Sequence, residues 1–167
     1  MSPTPWRVAA MTAADLPGVQ LIEEQSPTPW NPQQLAEELV CTGALQLVCL
    51  SESGEHLVGF LMARLFGGEA EILKIATVLA FHRQGVAGLL LNTFISLAKA
   101  QGVSKIHLEL RAKNTPARAL YNRHAFEITG RRRNYYTAPQ DDAICMTLSI
   151  SNCEVGCNAT PPQVTSH

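Results

Sequence analysis

The chain has 167 residues, 46% of them hydrophobic, and its 13 Lys and Arg against 14 Asp and Glu give a formal net charge of −1. This size and composition favour one globular domain with a sizeable core and exclude a generally disordered chain. The balanced charge excludes a general nucleic-acid or membrane-surface binder, and without a signal segment or an apolar run of roughly 18–20 residues we expect a cytoplasmic protein.

Hydrophobic periodicity, together with capping and turn residues, predicts seven strands and four helices. In chain order they are strand Trp6–Ala10, helix Ala13–Glu24, a second helix that is capped by Asn31, starts at Pro32 and runs through Leu35–Val40, strands Ala44–Ser51, Leu57–Leu65 and Glu69–Val78, helix Gly85–Gln101, strand Lys105–Leu110, helix Thr115–Arg123, and strands Ile128–Tyr136 and Ala143–Ile150. This order predicts an α+β (mixed α/β) fold with a largely antiparallel sheet, and the βαβ element within residues 69–110 predicts a ligand crevice. Residues 1–150 are expected to form this single domain and 151–167 a disordered tail.

The five cysteines give no metal-binding pattern. Cys41, Cys49 and Cys145 lie among apolar residues and are expected to be buried, reduced thiols. Cys153 and Cys157 lie in the tail without a second pair of ligands nearby, so no zinc site is expected.

A glycine-containing turn opens the long helix in the segment FHRQGVAGLLL, residues 81–91. Such a turn leaves backbone N–H groups unpaired at the positive end of the helix dipole, and Gly85 and Gly88 keep them clear of side chains. Arg83 can add a fixed positive charge. The segment could therefore cradle a pyrophosphate, although many helices open on glycine for structural reasons alone. The P-loop pattern and GxGxxG are both absent, which excludes those two nucleotide sites.

Two blocks of the sequence resemble the GNAT superfamily of acetyltransferases. The first block, [Q/R]-x-x-G-x-[G/A] before an apolar helix, corresponds to residues 82–87, with His82 instead of Gln or Arg and with Gly88 where a basic residue is frequent. The second block, strand–x–N–x–x–A–x–x–x–Y–x–x–x–G–F, corresponds to Asn114 through Phe126, with Ala125 in place of the glycine. Because that position often needs a left-handed backbone, Ala125 suggests a modest conformational penalty.

Within the superfamily, the chain most resembles the ribosomal-protein-alanine N-acetyltransferases. The similarity rests on LELR (108–111), NTPARALY (114–121), RRNYY (132–136) and PW (29–30). It implies a GNAT-like, mostly antiparallel twisted sheet with a βαβ coenzyme-binding element, and acetyl-CoA as the acetyl donor. The coenzyme contacts that it implies are Ile75, Ala76, Thr77, Arg83, Gln84, Gly85, Val86, Ala87, Gly88 and Asn114.

Acetyl transfer from a thioester to an amine needs a base for the amine proton, a group that holds the oxyanion, and a proton source for the leaving thiolate. Glu109 lies on the polar side of an otherwise apolar strand, and the resemblance implies that it is the base. The strand pattern alone favours a solvated carboxylate. Tyr121 matches the acid of the family, and a phenol with a pKa of about 10 can donate to a thiolate. Without the motif it would be interpreted as a core aromatic.

The acceptor side is expected near RRNYY. Tyr135 and Tyr136 are adjacent, so a regular strand would put one ring on each face, where one could form a wall over the substrate backbone. Trp30 is expected either to contact the first side chain of the acceptor or to pack on the core. The basic run Arg131–Arg133 could meet RNA or an acidic peptide, or form a solvated edge, and does not by itself indicate a nucleic-acid binder.

The resemblance thus implies acetyl transfer to the α-amine of an N-terminal alanine of a ribosomal protein by direct attack. Two alternatives remain open. One is a GNAT acetyltransferase for a lysine or a small-molecule amine, and the other is a catalytically silent acyl-CoA-binding module, which the departures at His82, Gly88 and Ala125 keep open.

Overall fold

A seven-stranded sheet forms the centre of the computed structural model, which describes residues 5–151. The predicted tail, with Cys153 and Cys157, lies outside the described residues except for its first residue, Ser151. The strands are β1 Trp6–Ala10, β2 Ala44–Ser51, β3 Leu57–Phe66, β4 Glu69–Thr77, β5 Lys105–Arg111, β6 Glu127–Thr137 and β7 Gln140–Ser149. Their order is β1-β2-β3-β4-β5-β7-β6, and every neighbouring pair is antiparallel except β4 and β5. The predicted fold class, with its βαβ element, is confirmed.

Four α-helices connect and cover the strands: α1 Leu16–Glu23, α2 Pro32–Leu39, α3 Val86–Ala100 and α4 Thr115–Arg123. The start of α2 follows directly from its sequence, because the Asn31 side chain accepts from the Gln34 backbone at 2.8 Å. Gln34 Oε1 in turn accepts from the Asn31 backbone at 2.9 Å, and Pro32 fills the first helical position.

The two faces of the sheet carry separate apolar clusters. Side chains of α3 and α4, such as Phe94 and Tyr121, pack with Leu108 on one face. Side chains of α1 and α2 pack with Val48 and Phe60 on the other. Strand β3 is therefore buried on both faces along Val58–Ala63, which explains its unbroken apolar sequence.

The parallel strands β4 and β5 pair only over their first halves, at Glu69–Ile72 and Lys105–Leu108. Beyond this point β4 stays paired with β3 as far as Thr77, and β5 stays paired with β7 as far as Arg111. A register shift in the β3–β4 ladder leaves Leu73 as an extra residue at the point of divergence. The sheet therefore opens into a wedge-shaped crevice between the ends of β4 and β5, where the βαβ element predicted one.

The last strand begins three residues earlier than predicted. Gln140 and Asp141 pair with Thr137 and Tyr136, so only Ala138 and Pro139 form the turn. The prediction was wrong here because the polar run of this edge hairpin has no hydrophobic alternation that would mark it as a strand.

Candidate active site

Backbone groups of β4 line one side of the crevice. The Val78 N–H donates to Val58 O of β3 at 2.9 Å, so by alternation the Ala76 N–H also points toward β3. Ile75 and Thr77 then present their backbone groups to the crevice, where β5 no longer pairs with them. Of the three predicted coenzyme contacts on this strand, Ile75 and Thr77 therefore have main-chain groups on the edge that faces the crevice, although the Thr77 carbonyl is bonded to His82.

Helix α3 begins close to the end of β4. Gly59 of β3 makes this possible, because a Cβ there would lie 3.0 Å from Val86 Cγ1 and 3.1 Å from Ala76 O. The ring of His82 bonds through Nε2 to Thr77 O at 3.1 Å and so ties the turn to the strand. His82, a departure from the motif, thus has a structural contact of its own.

The turn before α3 presents a set of unpaired backbone donors. Gly85 caps the helix with φ of +83°, and its carbonyl accepts from Leu89 at 2.9 Å. Within residues 5–151, the N–H groups of Gly85, Val86, Ala87 and Gly88 have no acceptor. They stand at the positive end of a 15-residue helix, which is the arrangement that binds anions.

The side chains around this turn leave the donors accessible. No atom lies within 4 Å of the position that a Cβ at Gly85 would take. Val86 points into the core, while Arg83 and Gln84 are exposed, and Gln84 Nε2 donates to Ala80 O at 3.4 Å. Arg83 forms no ion pair with any described residue, so its guanidinium is available to an anion.

Asn114 caps the next helix. Its Oδ1 accepts from the Ala117 backbone at 3.3 Å, which matches the structural role considered from sequence. The residue also lines an open cavity of about 340 Å³ between the α1–α2 loop and the β6–β7 turn. Its predicted contact with the coenzyme stays a prediction.

Glu109 lies on the face of β5 that α3 and α4 do not cover. Its Oε1 is 3.1 Å from Arg132 Nη2 on β6 and 3.8 Å from Cys145 Sγ on β7. The side chain is 27% exposed, which leaves the carboxylate open to an incoming group. Of the three cysteines expected to be buried, Cys49 is buried, whereas Cys41 and Cys145 are free thiols that are only half-buried.

Tyr121 lies on the opposite side of the sheet, on α4. It is 4% exposed, and its ring centroid is 5.5 Å from that of Phe126. Burial raises the pKa of its phenol, so the hydroxyl stays protonated over the whole range in which the protein is handled. No described residue hydrogen-bonds that hydroxyl, and none of the described contacts joins Tyr121 to Glu109. The structure therefore places the two predicted catalytic groups on different faces of the sheet beside the crevice.

A bulge in β6 determines how the two tyrosines lie. The register with β7 shifts between Arg132 and Tyr136, and Asn134 adopts φ of +52°. The rings of Tyr135 and Tyr136 meet edge to face at 5.1 Å, so the expectation of one ring on each face is wrong. The extra residue breaks the alternation that the expectation assumed.

Cations from two strands stack on these rings. The guanidinium of Arg111 is 4.2 Å from the Tyr136 ring, and that of Arg132 is 5.5 Å from the Tyr135 ring. Burial, and then the charge of Glu109, raise the pKa of Tyr136. Glu109 is thus surrounded by an aromatic and cationic surface on β5 and β6.

The basic run on β6 is largely neutralised within the chain. Arg131 Nε donates to Asp142 Oδ2 at 2.7 Å, and Arg132 pairs with Glu109. The Asn134 backbone and Arg131 lower the pKa of Asp142 by donating hydrogen bonds to its carboxylate. Among the described ion pairs, Arg133 has no partner, so no continuous positive stripe remains on this strand.

Trp30 lies in the α1–α2 loop, half-buried against the α1–α2 cluster. Its backbone N–H donates to Glu23 Oε1 at 2.9 Å, and Lys74 Nζ lies 4.9 Å from its ring centroid. Lys74 forms an ion pair with the buried Glu23 and donates to Thr28 O at 3.0 Å. The loop is therefore fastened to β4 beside the crevice.

Sequence analysis missed Glu23 and Lys74. Glu23 stands four residues after the buried Val19 on the core side of α1, and Lys74 interrupts the apolar strand EILKIAT. Charged residues rarely occupy core positions unless they are paired, so the opposite charges at these two positions could have predicted an ion pair between them.

The described part of the chain shows neither a metal-binding cluster of three or more His, Cys, Asp or Glu side chains nor a helix with the length and hydropathy to span a bilayer.

Comparison with known proteins identifies the family. The Acetyltransferase (GNAT) family matches residues 17–126. The [ribosomal protein bS18]-alanine N-acetyltransferase of Escherichia coli K12 is 32% identical over 147 residues, which cover 86% of this chain and 97% of the relative. The Salmonella typhimurium enzyme of the same name is 31% identical over the same length and the same shares of the two chains.

Solved structures agree with this. The crystal structure of the ribosomal-protein-S18-alanine N-acetyltransferase from Escherichia coli superposes with a TM-score of 0.83 at 29% identity, covering 90% of this chain and 97% of that one. Ard1 from Thermoplasma volcanium gives 0.78 at 25% identity, covering 89% and 99%. Given the extent of these matches, this chain belongs to the GNAT acetyltransferase family and is an N-acetyltransferase that uses acetyl-CoA.

Proposed function

We propose that this protein acetylates the α-amine of an N-terminal alanine on a ribosomal protein. The observation that carries the proposal is the setting of Glu109, a partly exposed carboxylate beside the crevice, flanked by Arg132 and the Tyr135–Tyr136 surface. The names of the relatives, which act on ribosomal protein bS18, support the choice of acceptor.

The donor fits the crevice and the start of α3. The four free N–H groups of residues 85–88, with Arg83 beside them, suit the pyrophosphate of acetyl-CoA. The backbone groups of Ile75 and the N–H of Thr77, which β5 does not pair with, suit the pantetheine arm and the acetyl carbonyl. Main-chain donors fixed in a strand need no reorganisation as negative charge develops on that oxygen, and this is how oxyanion stabilisation works.

Glu109 would take a proton from the acceptor ammonium, directly or through a water, in exchange for its contact with Arg132. The freed amine nitrogen then attacks the thioester carbonyl, a C–N bond forms, and the C–S bond breaks. An α-amine has a pKa of about 7.7–8.0 against about 10.4 for lysine, so a carboxylate suffices as its base. This difference favours an N-terminus over a lysine.

Tyr121 would supply a hydrogen bond, and finally a proton, to the leaving sulfur. A thiol has a pKa of about 8.5, below that of a phenol at about 10, so full transfer from an ordinary phenol is uphill by roughly 2 kcal/mol. Burial of Tyr121 raises its pKa further, which keeps the donor neutral and makes stabilisation by a hydrogen bond its main contribution. The nitrogen loses its second proton as the intermediate collapses, and this proton, carried by solvent, restores the phenol that protonated the sulfur. The proton that Glu109 took from the ammonium passes to solvent, so the reaction balances with the release of one proton.

The test is mass spectrometry of acetyl transfer to a peptide panel. The panel holds Ala-, Met- and Ser-starting peptides, including a ribosomal-protein N-terminus, with N-blocked lysine peptides as controls. Acetylation of the alanine α-amine alone supports the proposal. Label on lysine would move the protein to the lysine-directed class, and tight acetyl-CoA binding without transfer to any amine would make it a silent binding module.

A further inference from the structure

His124 ends α4 next to the first turn of α3. A Cβ built on Gly88 would lie 3.9 Å from Cε1 of His124, so the imidazole flanks the space that a side chain at position 88 would enter. In the superfamily block that residues 82–87 resemble, a basic residue is frequent at the position that Gly88 occupies here. Gly88 has no side chain, and the side chain nearest to this position is that of the half-buried His124 at the end of α4.

The ring of His124 is anchored by one nitrogen only. Nδ1 lies 2.8 Å from the carbonyl oxygen of Leu120, and since a carbonyl only accepts, Nδ1 carries the proton and donates. Nε2 has no partner among residues 5–151. In the imidazolium form Nε2 also becomes a donor.

We propose that His124 binds a phosphate oxygen of acetyl-CoA through Nε2, taking the place of a basic side chain at position 88. The inference rests on the proposed coenzyme site, in which the free N–H groups of residues 85–88 hold the pyrophosphate. His124, at the end of α4, would then add a side-chain donor to the backbone N–H groups of residues 85–88, on the side where Gly88 has no side chain.

The bond to phosphate requires the protonated ring, so the charges of the neighbouring segments matter. Arg123 precedes His124 on α4, Glu127 opens β6, and His82 and Arg83 stand in the turn before α3. Helix α3 itself carries no charged residue before Lys99. The phosphates of the coenzyme are anionic, so they attract both Arg83 and the imidazolium form of His124.

Two substitutions distinguish the roles of the two ring nitrogens of His124. In His124→Asn the amide nitrogen can replace Nδ1 and keep the bond to Leu120 O, but nothing replaces Nε2. In His124→Gln the longer amide can reach the position of Nε2. The control is His56→Asn, an exposed histidine in the β2–β3 turn.

Calorimetric titration should show that His124→Asn weakens acetyl-CoA binding about tenfold, as expected for one hydrogen bond to a charged group. His124→Gln and His56→Asn should stay within about threefold of the parent protein. With acetyl-pantetheine, which has no pyrophosphate, all variants should have the same KM as the parent.

Parent-like acetyl-CoA affinity in His124→Asn would overturn the role of His124. That role is also overturned if His124→Asn and His124→Gln lose affinity equally for acetyl-CoA and raise the KM for acetyl-pantetheine as well, because this pattern would indicate a packing role. If the parent protein itself fails to bind acetyl-CoA, both the proposed coenzyme site and the role of His124 are wrong. If the parent binds and His124→Asn binds equally well, only the role of His124 is wrong, so the two failures are distinguishable.

Discussion

Replacing Ala125 with glycine should stabilise this protein. Ala125 follows α4 with φ of +66°, a left-handed conformation that costs an L-residue roughly 1–2 kcal/mol. Glycine removes that cost, but its greater conformational freedom in the unfolded chain offsets about 0.4–1 kcal/mol of the gain in stability. Because the methyl group is exposed, little burial is lost. The expected gain in the free energy of unfolding is therefore about 0.5–1 kcal/mol.

Urea denaturation of the coenzyme-free protein measures this gain, and the melting temperature should rise by about 1–4 °C. The matched control is Ala119→Gly, six positions earlier and also exposed, but inside α4 with a helical backbone. The same chemical change there should cost about 1 kcal/mol. If Ala125→Gly also lowers the stability, the left-handed strain assigned to this position is refuted.

Three further substitutions test the site. Glu109→Gln should lower kcat by about 10²–10⁴ in a peptide assay, with calorimetric acetyl-CoA affinity near that of the parent; a comparable loss of affinity would make Glu109 structural. Tyr121→Phe should lower the rate constant with little change in the acceptor KM, and an unchanged rate would remove Tyr121 from the mechanism. Burial raises the pKa of Tyr121, so its phenol should not ionise below about pH 10. The pH–rate profiles of the parent and of Tyr121→Phe should therefore have the same shape up to that pH. Lys74→Met should lower the free energy of unfolding by about 3–5 kcal/mol, because it leaves the Glu23 carboxylate buried without its cation. Adding Glu23→Gln should recover part of that loss in urea denaturation, and a neutral Lys74→Met would show that the pair does not stabilise the fold.

Local sequence signals predicted most of the fold. The alternation of Lys105–Leu110 identified β5 and set Glu109 apart from its apolar neighbours, as the structure has it. Gly85 and Gly102 marked the two ends of α3, and both have positive φ. The left-handed backbone suspected at Ala125 is present as well. Each of these features depends on residues within one or two turns, which is why a single sequence sufficed.

What the sequence could not predict depends on register between distant strands. The bulge around Asn134 is held by Asp142, whose carboxylate accepts from the Asn134 backbone at 2.8 Å across the hairpin. The contact of Arg132 with Glu109 also needs two strands in a fixed order. A period-two pattern carries no information about an extra residue, so the arrangement of the tyrosines could not be derived from it.

The fastening of the α1–α2 loop to β4 has a consequence for protein engineering. One carboxylate, that of Glu23, holds both the backbone of Trp30 and the ammonium group of Lys74. A chimera that replaces the end of α1 together with this loop, while keeping Lys74, would leave the Lys74 ammonium without its carboxylate wherever the imported segment lacks the acid. The end of α1, the loop and β4 are therefore best exchanged as one unit, whereas libraries that vary only residues 24–31 keep the Glu23–Lys74 ion pair.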